Sequence, residues 1–167
     1  MSEVLRSSHL VLKPITRNDF DEILDMFAEP DAFEFIQPLQ NKSEEEHREY
    51  LEHKLGQVTS GEGEYWVIRT QTDAFVGCLN LTPMRHSPDM NIGWQVIGHQ
   101  RSKGYAYEAA QLVLDHAVER DAYDVIYGIH EDGQEISRHM FHKLRFKEEG
   151  IVEIKGEKLY KYSFRLG

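Results

Sequence analysis

The chain has a single cysteine, Cys78, among 167 residues. An internal disulfide framework is therefore excluded, and fold stability must come from packing. Cys78 lies in the apolar run FVGCLNL and reads as a buried structural thiol. Long hydrophobic runs are also missing. No stretch of about 18 apolar residues occurs, and MSEVLRSSHL has no apolar leader core, so a cytoplasmic protein is expected. Positive charge is in short supply: 19 Lys and Arg stand against 29 Asp and Glu, a formal net charge of −10. That balance argues against non-specific nucleic-acid binding and is compatible with a cationic or basic partner. The nine histidines form no H-E-x-x-H, and there is no cysteine cluster, so no metal is expected. G-x-x-x-x-G-K-[ST] and G-x-G-x-x-G are absent as well. Internal repeats, linkers and low-complexity tracts are not found, so residues 1–167 read as one domain.

What is present is 40% hydrophobic and 11% aromatic residues, enough for a sizeable core. HLVLKPIT (9–16) reads as a strand. Thr16 with Asp19, and Ser43 with Glu46, have the spacing of capping boxes that open two helices. Phe20, Ile23, Leu24 and Phe27 recur at helical spacing, and the helix should stop near Pro30. EYWVIRT (64–70) and AFVGCLNL (74–81) form an expected hairpin, followed by a strand MNIGWQVI (90–97). Gly93 inside that strand suggests a bulge or a close approach by another group. Positions 106, 109, 110, 113, 114 and 117 make one helix face. A strand at 123–130, a helix at 134–144 and a closing hairpin complete the order β-α-α-β-β-β-α-β-α-β-β. The expected fold is a single mixed α/β (α+β) domain with a mostly antiparallel sheet flanked by helices. Its parallel part is the strand–helix–strand unit spanning 90–130.

The stretch QRSKGYAYEAA (100–110) sits where a strand gives way to a helix. A helix start leaves backbone N–H groups unpaired and carries partial positive charge, which suits an anion. Gly104 lets a bulky anion approach the main chain, Ala106 is nearly as small, and Arg101 and Lys103 add charge. On charge alone, a solvated helix start with a turn glycine is the favoured explanation of the stretch.

Arg101-Ser102-Lys103-Gly104-Tyr105-Ala106 fits Q/R-x-x-G-x-G/A, and the chain on this basis resembles the GNAT superfamily of acyl-CoA-dependent N-acetyltransferases. NIGWQVIGHQRSKGYAYEA is similar to the branch that acetylates the N-termini of ribosomal proteins, through Gly93, Trp94, Lys103, Gly104, Tyr105, Ala106, Glu108 and Ala109. Ser102 stands where that branch usually has glycine, Gly98 where it often has proline, and Arg145 where a glycine usually precedes Phe146. HLVLKPITRNDFDEI, FVGCLNL and QEISRHMFHKLRF extend the likeness over nearly the whole chain.

The resemblance implies that the central strands splay and that acetyl-CoA wedges between them as co-substrate. Its pantetheine arm would pair with main chain near Val96, Ile97 and Gly98. Its pyrophosphate would lie on the amides of Arg101, Ser102, Lys103, Gly104, Tyr105 and Ala106, with Gln134 and Phe141 completing the cofactor site. Ser137 matches the branch's serine acid, which would protonate the departing thiolate. Asn91 occupies the position where relatives often carry a glutamate base. Because Asn91 takes no proton, a water relay positioned by Asn91, Glu34 or Asp89 is expected. Phe35, Trp94 and Met84 would line the acceptor pocket, with Phe33 and Trp66 as further candidates. The implied reaction is direct acetyl transfer to a primary amine in a ternary complex, the acceptor being a protein N-terminus, a peptide or a small amine. A monomer or homodimer is expected, with no nucleic acid or membrane partner. A non-catalytic CoA-binding sensor or scaffold of the same fold is the alternative.

Overall fold

The computed structural model describes residues 3–34, 36–84 and 87–167, with only the backbone of Gln37. Short β1 (Leu5–Arg6) precedes β2 (Leu10–Pro14), α1 (Phe20–Phe27) and α2 (Glu44–Thr59). Strands β3 (Glu64–Thr70), β4 (Phe75–Pro83) and β5 (Met90–Val96) follow. Then come α3 (Tyr105–Glu119), β6 (Val125–Glu131), α4 (Glu135–Lys143), β7 (Lys147–Ile154) and β8 (Glu157–Arg165). The strands form one eight-stranded sheet in the order β1-β2-β3-β4-β5-β6-β8-β7. Every neighbouring pair is antiparallel except β5 and β6, which are parallel and joined through α3.

Side chains alternate across a strand, so each strand feeds two layers. On one face Trp66, Ile68, Leu79, Leu81 and Ile92 pack with Ala109, Ala110, Val113, Leu114 and Ala117 of α3 and with Met140 and Phe141 of α4. The α3 face is the one its periodicity marks, with Ala106 half-buried at its start. On the other face Tyr65, Val67 and Cys78 meet Phe20, Ile23, Leu24, Met26 and Phe27 of α1 and Leu51 of α2. Cys78 is buried at 3% exposure inside this second layer, and burial pushes its thiol up to about 12.

The helix starts follow the sequence signals. Asp19 accepts from the Thr16 N–H at 2.9 Å. Ser43 Oγ accepts from the Glu46 N–H at 3.1 Å, and the Glu46 carboxylate accepts from the Ser43 N–H at 3.1 Å. The segment after Thr16 begins as a short 3₁₀ turn, Arg17–Asp19, before α1.

Two expectations need correction. The two-residue strand β1 is absent from the sequence reading, being too short to carry a period. Gly93 makes no bulge: β4 and β5 stay in register through Asn80↔Gly93. The register shifts lie instead at Ile68/Arg69 and Glu148/Gly150. Gly93 is a close-approach glycine, since a Cβ there would lie 2.6 Å from Asn80 Oδ1.

Candidate active site

After β5 the chain makes a 3₁₀ turn, Gly98–Gln100, then passes through two left-handed residues, Ser102 at φ 64° and Gly104 at φ 79°. A serine tolerates that conformation at some cost; glycine adopts it freely. A Cβ built on Gly104 meets nothing within 4 Å, so the approach to this turn is open. The first α3 bond is donated by the Glu108 N–H to Gly104 O at 3.1 Å. The N–H groups of Tyr105, Ala106 and Tyr107 are thus the unpaired donors of a helix start. Residues 101–104 are exposed around them. Lys103 Nζ leans over the turn and donates to Gln100 Oε1 at 2.9 Å. Glu108 ties α3 to the β1–β2 segment, accepting from Ser7 Oγ at 2.6 Å and the His9 N–H at 3.0 Å.

The parallel ladder between β5 and β6 consists of one registered pair, Asn91↔Tyr127. Past that pair the two strands run on without pairing to each other, while β5 remains bonded to β4 as far as Gly77↔Val96. The outer main-chain edge of β5 from Ile92 onward is therefore open, the splay that the sequence resemblance implies. At its far end the main chain is occupied. Val96 O accepts from Arg101 Nε at 3.1 Å, the Ile97 N–H donates to Val76 O at 2.8 Å, and the Gly98 N–H donates to Glu29 at 2.9 and 3.2 Å. These groups at 96–98, expected to meet a pantetheine arm, already have protein partners.

Arg101 also departs from expectation. Its Nη1 lies 2.7 Å and its Nη2 3.4 Å from the two Asp31 oxygens, and Nη2 is 3.6 Å from Glu29 Oε1. The bond from Arg101 holds the Asp31 carboxyl below the usual carboxylate range. The guanidinium faces the loop after α1 rather than standing free for a phosphate.

Ser137 is buried at 6% exposure in the first turn of α4, and Gln134 is the residue preceding that helix, with no side-chain capping bond. Phe141 is a core residue. It is 2% exposed, stacks on Tyr162 at 4.7 Å between centroids, and fills the space over Gly128, where a Cβ would sit 2.1 Å from its Cε1. Trp94 packs on Phe141 at 5.1 Å, on the α3–α4 face of the sheet and away from the loop after α1. Trp66 is wholly buried with its indole N–H on Glu3 O, and Phe33 packs between Phe27 and His47, so both are structural. Met84 is half-buried at the start of the loop after β4, its N–H on Asp89 O at 2.9 Å. Phe35 lies outside the described residues. Arg145 is exposed at φ 68°, the backbone conformation a glycine takes without strain.

Asn91 Oδ1 is buried with no hydrogen-bond partner among the described residues. Around it lies a polar group that sequence reading misses. Thr82 pairs with Asn91 across the β4–β5 ladder and its Oγ1 accepts from Asn80 Nδ2 at 3.1 Å and Lys54 Nζ at 3.3 Å. The alternation of Asn80 and Thr82 within β4 was the available signal. Gln95, on the same face as Asn91 and Gly93, donates to Ala32 O at 2.9 Å.

An open strand edge ending at a cradle of unpaired amides fits an elongated ligand with a diphosphate. The acetyltransferase (GNAT) domain family matches residues 9–147. The chain belongs to that family. It is an acetyltransferase of the GNAT type, and CoA is the acyl carrier its site must accommodate. Similar solved structures share the fold at low identity. The acetyltransferase from Salmonella typhimurium described as modifying the N-terminal serine of ribosomal protein L7/L12 is 16% identical with TM-score 0.83, covering 98% of this chain and 99% of that one. A RimL L7/L12 α-N-protein acetyltransferase in complex with coenzyme A is 16% identical, TM-score 0.84, with 98% of each chain covered. The ribosomal-protein-S5-alanine acetyltransferase from Vibrio fischeri is 15% identical, TM-score 0.79, covering 98% and 97%. A search of curated protein sequences gives no significant match. Among the described residues of this acetyltransferase no three His, Cys, Asp or Glu side chains come together to hold a metal ion. No described helix is long and apolar enough to cross a membrane.

Proposed function

We propose that this acetyltransferase moves an acetyl group from acetyl-CoA to a primary amine, with the α-amine of a protein or peptide as acceptor, by direct attack within a ternary complex. The observation that carries the reading is the amide cradle at Tyr105–Tyr107 set at the end of a β5 edge that β6 leaves unpaired. The cradle binds a diphosphate through three N–H donors, with Lys103 adding charge. The free edge from Ile92 aligns an extended arm as an added strand would.

A thioester supplies an activated carbonyl and a thiolate leaving group. The rest is positioning, proton handling and hydrogen bonding by this chain. The amine nitrogen forms the new bond to the acetyl carbon as the carbon–sulfur bond breaks, and the departing sulfur takes a proton. Ser137 is the donor for that proton or for a hydrogen bond to the sulfur. Asn91 Oδ1, buried and unpartnered, accepts a hydrogen bond from the bound amine or from a water that carries its proton away. An α-amine titrates near about 7.7–8.0 and a lysine amine near about 10.4. An amide in place of a carboxylate base therefore suits the weaker base, which is already partly neutral at cytoplasmic pH. Three solved structures of the same fold named for ribosomal-protein substrates support that acceptor class.

Calorimetric titration with CoA, followed by thiol release from acetyl-CoA with serine- and alanine-initiated peptides, lysine side-chain analogues and polyamines, tests the reading. Binding with release on α-amines is expected. Binding without release on any amine would leave only a CoA-binding sensor or scaffold, and no heat with CoA would overturn the assignment of the cradle.

A further inference from the structure

Arg101 holds the motif position at which a diphosphate contact is expected, yet all three of its guanidinium nitrogens have protein partners. Nη1 and Nη2 engage Asp31, Nη2 approaches Glu29, and Nε bonds Val96 O. Glu29 in turn takes the Gly98 N–H with both carboxylate oxygens, and Gln95 reaches Ala32 O from β5. Three separate ties therefore join residues 29–32 to the stretch 95–101. Two carboxylates around one guanidinium leave that corner with a net negative charge, which repels a diphosphate. A planar guanidinium spans two carboxylates and a carbonyl at once, which an ammonium does not. The loop so held lies on the sheet face that carries Asn91, Gly93 and Gln95, the side from which an acceptor would reach the reacting carbon.

We infer that Arg101 is a positioning residue that clamps the loop at 28–34 onto the cofactor turn and shapes the acceptor side, while the diphosphate is left to Lys103 and the α3 amides. The inference rests on the transferase reading for its consequence in turnover, but the clamp itself is testable without activity. Deuterium exchange of segment 28–34 is expected to speed up at least fivefold in Arg101→Ala and in Asp31→Asn, with α3 and β4 unchanged. The dissociation constant for CoA is expected to move less than threefold in both variants, and to rise about tenfold in Lys103→Ala. For the panel peptide turned over fastest, Arg101→Ala is expected to raise KM about fivefold with kcat within twofold, and Arg101→Lys to rescue little of it. The clamp is overturned if exchange at 28–34 is the same in all variants, or if Arg101→Ala weakens CoA as much as Lys103→Ala does while Asp31→Asn leaves exchange and KM untouched. A wild-type chain that binds no CoA and releases no thiol fails the transferase reading instead, and the exchange measurement still decides the clamp.

Discussion

Ser137 combines a hydroxyl, near-complete burial and a place in the first turn of the helix that follows β6. If its hydroxyl serves the departing sulfur, Ser137→Ala lowers kcat by about a hundredfold or more, the usual range for losing a general acid. CoA binding measured by calorimetry should stay within twofold; equal turnover in the variant removes the role. Gly77 tests packing in the same way. A Cβ there would lie 1.9 Å from Gln95 O, a main-chain atom that cannot move without loosening the β4–β5 ladder. Gly77→Ala is expected to cost about 3 kcal/mol and about 6–12 °C in Tm, seen in a thermal melt. At this scale the sequence was legible where the determinant is local. Gly104 announces a turn at a helix start, and Cys78 in an apolar run announces a buried thiol. It was silent where the determinant is distant. Arg101 reads as a phosphate ligand because Asp31 and Glu29 lie some seventy residues away in the chain, and nothing in their own neighbourhood marks them as its partners. Phe141 likewise reads as a cofactor contact until Gly128 and Tyr162 are seen beneath it.

Helix α2 is held less by packing than by its ends and its neighbours. Only His47 and Leu51 are buried among its sixteen residues, so its capping box carries more of its local stability than a cap on a well-packed helix would. Ser43→Ala is expected to cost about 1 kcal/mol in denaturant unfolding. The Ser43 N–H holds the Glu46 carboxyl below its ordinary value of 4.5. A carboxyl lowered in the folded state contributes its stability above that ordinary value and loses it as pH falls through the folded value. The difference in unfolding free energy between the wild type and Glu46→Gln should therefore be steady near neutrality and shrink on acidification below about pH 4.5; a difference that grows towards low pH contradicts the assignment. Elements with a full period or a capping signal were read from sequence almost to the residue, as in β3 and the start of α2. β1, at two residues, exists only because β2 offers it an edge, with Leu5↔Leu12 as its register. No pattern within Leu5–Arg6 encodes that.

The molecule as a whole is a single sheet with unlike layers on its two faces. One layer, under α3 and α4, is broad and apolar and backs the start of α3. The other, under α1 and α2, is smaller and gives way near β5 to the polar group of Asn80, Thr82, Lys54 and Asn91. The parallel β5–β6 contact marks where the two halves of the sheet join, and it is also where the site opens. The one parallel crossover followed from element order, because a strand–helix–strand unit brings its strands side by side, whereas the placing of β8 between β6 and β7 did not. The closing of the loop after α1 against β5 did not follow, since it depends on Gln95 meeting the main chain of Ala32 and on Arg101 meeting the side chains of Asp31 and Glu29, all far away in the chain.

The second layer also encloses Cys78, with its thiol raised to about 12. At pH 8 a folded chain should give no colour with a disulfide reagent such as Ellman's, and a chain unfolded in guanidinium should give one equivalent. Every mercaptan counted during turnover by the native protein then originates from the acyl carrier alone, while a late, stoichiometric yellow step in the same cuvette reports that the protein itself has come apart.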